Sequence, residues 1–104
     1  MADFHHTVHF WLQPGLDEDR RADFFASLRG LAESPHVKTC RVGTPAGTDR
    51  PVVDNSYDAQ LLCVFDSVAA HNAYQSPADE VHADFIERFK DCWAKVVIYD
   101  SIDG

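Results

Sequence analysis

Phe4-His5-His6-Thr7-Val8-His9-Phe10-Trp11-Leu12 reads as an opening β-strand, rich in β-branched and aromatic side chains and ended by Pro14-Gly15. Side chains alternate along a strand, so His6, Val8 and Phe10 share one face while Trp11 takes the other. Downstream, Asp17, Glu18 and Asp19 put negative charge in the first turn of a helix, where the helix dipole favours it. Phe24, Phe25, Leu28, Leu31 and Ala32 then recur at helical spacing and predict one broad apolar face.

Residues 37–43 read as a second strand, followed by a loop rich in Gly, Pro and Asp to about Asn55. Tyr57 to Phe65 is a third strand. Ser67 is placed to cap a short helix through Tyr74, a second helix is expected from Pro77 to about Trp93, and Lys95 to Ser101 is the last strand. The order strand, helix, strand, strand, helix, strand is the split βαβ pattern. It predicts an α+β, ferredoxin-like fold (βαββαβ), a four-stranded antiparallel sheet with helices on one face.

His6, Val8, Phe10, Leu61, Cys63, Val96 and Ile98 are then helix-facing. Period two leaves Trp11, Leu62, Val64, Val97 and Tyr99 on the opposite face, which a monomer would expose as an apolar patch. The expectation is a two-fold homodimer with the sheets face to face, a dimeric α+β barrel.

The chain has 104 residues, 45% hydrophobic and 25% charged, which predicts a single domain over 1–104. A net charge of −8 argues against nucleic acid or an anionic membrane as partner, because both demand a basic surface. No apolar run approaches a membrane span and the opening residues lack a signal-peptide pattern, so a cytoplasmic location is expected. Three cysteines, Cys40, Cys63 and Cys92, form no CxxC and fit a reducing compartment as small apolar side chains.

Chemistry concentrates in Tyr74-Gln75-Ser76-Pro77-Ala78-Asp79-Glu80-Val81-His82-Ala83-Asp84-Phe85. Ser76 suits an N-cap, Pro77 the first helical position and Asp79 a capping-box acid, which predicts a helix holding His82 and Phe85 one turn apart on one face. If that face looks inward, a phenol and an imidazole enter one apolar space as an acid–base pair. Tyr74 as a hydrogen-bonded core edge, and His82 as a partly exposed helix residue, is the structural alternative. His6 is either a polar group in a pocket floor or a core histidine bonded to a backbone carbonyl.

A metal at His5, His6 and His9 is opposed by geometry. Adjacent strand residues face opposite ways, and His5 and His9 lie about 13 Å apart along a strand. Only a site shared across a dimer would join them. His36 and His71 are expected to face solvent, and neither a metal nor another cofactor is expected. The 44–56 loop, with Gly47 and Pro51 and with Gly43 just before it, lacks a Walker-type lysine and suits a lid or a dimer arm.

Over residues 4–101 the chain resembles the stress-responsive A/B barrel domain family, dimeric α+β barrels of about this length. The resemblance is carried by His6-Thr7-Val8-His9-Phe10, Tyr57-Asp58, Phe65-Asp66-Ser67 running to Tyr74, Pro77…His82…Phe85, and Trp93-Ala94-Lys95-Val96-Val97-Ile98-Tyr99-Asp100. Among its members are enzymes of the olivetolic acid cyclase type, which close a linear polyketide by aldol chemistry. The resemblance implies that Tyr74 and His82 occupy the catalytic tyrosine and histidine positions, and His6 the first-strand histidine position. It implies an aromatic wall of Phe24, Phe25, Phe85 and Trp93; the inward-facing Val8, Phe10, Leu28, Leu61 and Cys63 are expected to complete the pocket. The chain departs from that type at Ser76, where a histidine is usual, in the altered spacing around Pro77, and at Ala59, another histidine position.

Two functions follow as expectations: a cofactor-independent lyase or cyclase acting on a small hydrophobic carbonyl compound, or a non-catalytic dimeric module for ligand binding or stress tolerance. Fold analogy alone adds a monooxygenase-like barrel.

Overall fold

The computed structural model describes residues 2–104. Strand β1 spans Phe4–Leu12, helix α1 Glu18–Arg29, strand β2 Thr39–Gly43, strand β3 Ala59–Phe65, helix α2 Val68–Gln75, helix α3 Glu80–Phe89 and strand β4 Trp93–Ile102. A 3-10 turn, Gly30–Glu33, extends α1. The strands form one antiparallel sheet in the order β2-β3-β1-β4, the ferredoxin-like arrangement expected. The register sets Val8 between Leu61 and Ile98, and His6 between Cys63 and Asp100.

Local chemistry starts each helix. Asp17 accepts a hydrogen bond from the Arg20 N–H and caps α1, and the Ser67 hydroxyl accepts from the Ala70 N–H and caps α2. The third start differs from expectation. Asp79, not Ser76, caps α3, accepting from the His82 N–H, and the helix ends at Phe89 instead of near Trp93. Ser76 instead terminates α2, and its hydroxyl accepts from the Ala78 N–H in the turn between the helices. Asp79 prevails because its carboxylate is buried and also accepts from the Ser34 hydroxyl at 2.5 Å, tying the segment after the 3-10 turn to α3.

The core lies between the sheet and the helices. Val8, Phe10, Leu61, Cys63 and Phe65 meet Phe24, Leu28, Leu31, Tyr74, Phe85 and Phe89, all buried. Ala32, expected on the apolar face of α1, is exposed because the chain tightens to 3-10 geometry there and turns away. Val96 and Ile98 do point to the helix side but remain 40% and 48% exposed, since the helices do not cover the edge strand β4.

The other face carries Trp11, Leu62, Val64 and Val97, all half-buried, and the exposed Tyr99. His5, Thr7, His9 and Gln60 share this face by register, so the patch is mixed in polarity. The 44–56 loop comes back to this face, where the Trp11 indole N–H donates to the Ser56 hydroxyl. All three cysteines are free, and Cys40 pairs directly opposite Cys63 across β2 and β3.

Candidate active site

Between the sheet and helices α2 and α3 lies a cavity of about 140 Å³. Strand β1 contributes His6, Val8 and Phe10 to its wall, β3 contributes Leu61, and the helices contribute Tyr74, His82 and Phe85. Trp93 closes one side. Leu31, Val96, Ile98, Gln75 and Ile86 complete the lining, the last four of them exposed and so forming the rim. The sequence reading had not put these five in the pocket, although period two already turned Val96 and Ile98 toward the helices.

Four residues expected to line the pocket lie elsewhere. Phe24, Leu28 and Cys63 are fully buried beneath the wall. Phe25 is half-buried and stacks under the Arg21 and Arg29 guanidinium groups, 5.2 and 6.0 Å from its ring centre. Adjacent helical residues diverge by about 100°, so once Phe24 fills the core Phe25 is carried off the cavity.

Tyr74 and His82 do meet. Their ring centres are 4.4 Å apart at an interplanar angle of 47°. They touch ring to ring, and no side-chain hydrogen bond joins them among the described residues. The Tyr74 ring also lies edge-on to His6 and against Phe65, so the phenol is locked from three sides. Burial pushes its pKa well above the usual phenol range, and the neighbouring Cys63, Cys40 and Asp79 push the same way. The hydroxyl is therefore a donor throughout the neutral range and not a latent base.

His82 titrates below its ordinary value, chiefly because burial disfavours the imidazolium, with Asp79 opposing. It is neutral at pH 7 and can accept a proton. The shift also bears on stability. In the unfolded chain His82 regains an ordinary pKa of about 6.5 and binds protons more readily than in the fold. Its contribution is present above that value and lost as the pH falls through the lower folded pKa. The urea midpoint is expected to decline from pH 7.5 to 5, and the decline to be shallower in His82→Gln. Parallel slopes for the two proteins would show that His82 carries no such linkage.

His6 is buried, and its Nδ1 lies 2.6 Å from Asp100 Oδ1, a carboxylate partner and not the expected backbone carbonyl. Burial lowers its pKa and the Asp100 contact only partly restores it. His71, expected in solvent, is half-buried. Its ring stacks on Phe4 with centres 4.2 Å apart and stands 5.1 Å from the His6 ring. His36 is half-buried as well. Of the other β1 histidines, His5 binds Asp103 at 2.7 Å, and His9 sits edge-on to Tyr57 and Tyr99.

The antiparallel sheet with its helices on one face and a small apolar cavity beneath them defines a ferredoxin-like α+β protein. The sequence profile of the Stress responsive A/B Barrel Domain matches residues 4–103, and the chain belongs to that family. No curated protein sequence matches it significantly. Among solved structures it is similar to a hydroxynitrile lyase from Passiflora edulis, with a TM-score of 0.77 and 21% identity over 98% of this chain and 94% of that one. It is similar also to a ferredoxin-like protein of the same family from Mesorhizobium loti (TM-score 0.79, 20% identity, 100% and 99% covered). A dimeric ferredoxin-like protein of unknown function from Thermobifida fusca gives a TM-score of 0.75 at 20% identity, over 96% and 90% of the two chains. No helix among the described residues is long and apolar enough to cross a membrane.

Proposed function

We propose that the protein is a cofactor-independent lyase or cyclase acting on a small hydrophobic carbonyl compound. The observation that carries this reading is the shared cavity: a neutral imidazole and an un-ionised phenol, ring centres 4.4 Å apart, both line one apolar space. His82 takes the proton from the carbon next to the carbonyl. The C–H electron pair moves into the new C=C bond as the carbonyl π pair moves onto oxygen, and the Tyr74 O–H stabilises that oxygen by hydrogen bonding. The enolate then re-protonates or adds to a second carbonyl to form a carbon–carbon bond. In the reverse, lyase direction His82 takes the proton of a β-hydroxyl, its electron pair forms the new carbonyl, and the carbon–carbon bond breaks to release the enolate, without redox chemistry.

Cavity size narrows the substrate. A space of about 150 Å³ holds a molecule the size of benzene, and this one is about 140 Å³. A short aldehyde or ketone fits; a long linear polyketide would have to extend past the exposed rim of Gln75, Ile86, Val96 and Ile98. The size therefore favours a lyase-like substrate over a cyclase-like one. The hydroxynitrile lyase named above shares the fold, and lyase chemistry on it is compatible with this reading.

The test is deuterium exchange. A panel of aldehydes and ketones of rising chain length is incubated with the protein in D2O, and loss of the proton next to the carbonyl is followed by NMR. Exchange above the buffer rate for the short members supports the reading. Binding without exchange would assign the protein to the non-catalytic ligand-binding module.

We also propose that the working unit is a homodimer joined through Trp11, Leu62, Val64, Val97 and Tyr99. The similar Thermobifida fusca protein is described as dimeric, and these five side chains flank the polar His5, Thr7 and His9 of the central strand on one sheet face. Leu62→Asp should weaken self-association by about a hundredfold or more, since burying an unpaired charge costs several kcal/mol. Sedimentation velocity across a concentration series reads this directly. Unchanged association would move the interface elsewhere.

A further inference from the structure

We propose a second site, independent of the Tyr74–His82 pair: His6, His71 and Asp100 form a three-ligand site for a divalent first-row transition cation, with zinc the natural probe. One ligand atom from each of the three lies within 4.8 Å of the others. Two zinc ligands at ordinary bond lengths and a tetrahedral angle are about 3.3 Å apart. His6 Nδ1 and Asp100 Oδ1 are 2.6 Å apart in a hydrogen bond whose proton an arriving cation would displace, and no ligand atom of the set has to move in from beyond 4.8 Å.

His71 supplies the observation that a packed core would not require. Its Nε2 is buried and has no hydrogen-bond partner among the described residues. The opposite ring nitrogen, Nδ1, lies 3.2 Å from the Asn72 side-chain oxygen, which can only accept. That contact places the proton on Nδ1 and leaves a bare lone pair on Nε2, the form in which a metal-binding imidazole is held. Stacking on Phe4 fixes the ring plane. A buried acceptor without a donor is a cost that a bound cation would remove.

The donor set selects the ion. Two imidazoles with one carboxylate suit zinc, cobalt, nickel or iron(II), whereas magnesium and calcium prefer oxygen ligands alone. Three protein ligands leave a coordination position for water or a ligand atom. Asp100 is 40% exposed in its side chain, which offers the ion a path from solvent. The site borders the cavity through His6 but includes neither Tyr74 nor His82.

Zinc affinity is measured by competition with a chromophoric chelator on the full chain, and cobalt(II) binding by its visible absorption. The expected result is one ion per chain, with affinity reduced at least tenfold in both His71→Phe and Asp100→Asn and unchanged in His82→Gln. His71→Phe keeps an aromatic ring against Phe4, and circular dichroism confirms that each variant is folded. Should either variant unfold, the cobalt spectrum of the parent decides, because tetrahedral nitrogen–oxygen ligation gives intense visible bands that surface binding does not. Equal zinc affinity in the parent and His71→Phe, or a weak octahedral cobalt spectrum, would overturn the site. Retained binding in His82→Gln separates this outcome from the fate of the acid–base reading.

Discussion

His82→Gln should lower the turnover of the best carbonyl substrate by about two to four orders of magnitude, the usual contribution of a positioned general base. Glutamine approximates the size of histidine and keeps a polar tip, but it cannot take a proton near neutral pH. The backbone role of this position is untouched, because Asp79 accepts from the His82 main-chain N–H and not from the ring. Binding of a non-reactive analogue should therefore change much less than turnover. Tyr74→Phe is the companion variant. It keeps the ring wedged between His6, Phe65 and His82 while removing the one donor hydroxyl. Its rate should fall by about two to three orders of magnitude if that hydroxyl steadies the developing oxyanion. Turnover within a factor of about three of the parent in both variants would contradict base catalysis by this pair.

Phe24→Ala should destabilise the fold by about 3–5 kcal/mol, a large share of the roughly 5–15 kcal/mol typical of a small domain. Phe24 is 0% exposed, and its ring touches those of Phe10, Phe25, Phe85, Phe89 and Trp93. It holds α1 against α3 and the sheet at once, so no single neighbour can move in to fill the space. Phe25 next to it is the control. Its ring is half-buried under two arginines, and Phe25→Ala should cost about 1 kcal/mol, the ordinary effect of a point substitution away from a packed core. Urea unfolding distinguishes the two at once. Equal midpoints would mean that the core relaxes around Phe24 far more than its packing suggests.

Both effects bear on the same cavity. Phe10, Phe85 and Trp93 form its wall on one side and grip Phe24 on the other. Loss of Phe24 should therefore loosen the wall that positions His82, even though Phe24 does not line the cavity. Substrate affinity and stability should fall together in Phe24→Ala, whereas His82→Gln should lower turnover far more than affinity.

Much of this architecture was legible in the residues. Alternation in Phe4–Leu12, charge and capping at Asp17, the hydroxyl of Ser67 and the strand character of the last segment act over a few positions, and each formed nearly where local chemistry placed it. Tyr74, His82 and His6 were legible as candidates because an aromatic, an imidazole and a helix start lay close together in the chain, and because the family resemblance ranked them. The start of α3 was not. Ser76-Pro77 and Asp79 offer comparable local starts, and it is Asp79, whose carboxylate Ser34 reaches from 45 residues away, that caps the helix.

The order of elements, the strand faces and hence the ferredoxin-like sheet follow from the residues alone, since these rest on periodicity and short-range hydrogen bonding. Packing in three dimensions selected which aromatic residues border empty space and which fill it: Phe24 and Phe25 look alike in one dimension, and the angle between them sends one inward and one out. Only the fold, too, brought His71 and Asp100 to His6. The three come from α2, β4 and β1, and no local pattern can show a lone pair that is bare because packing has closed around it.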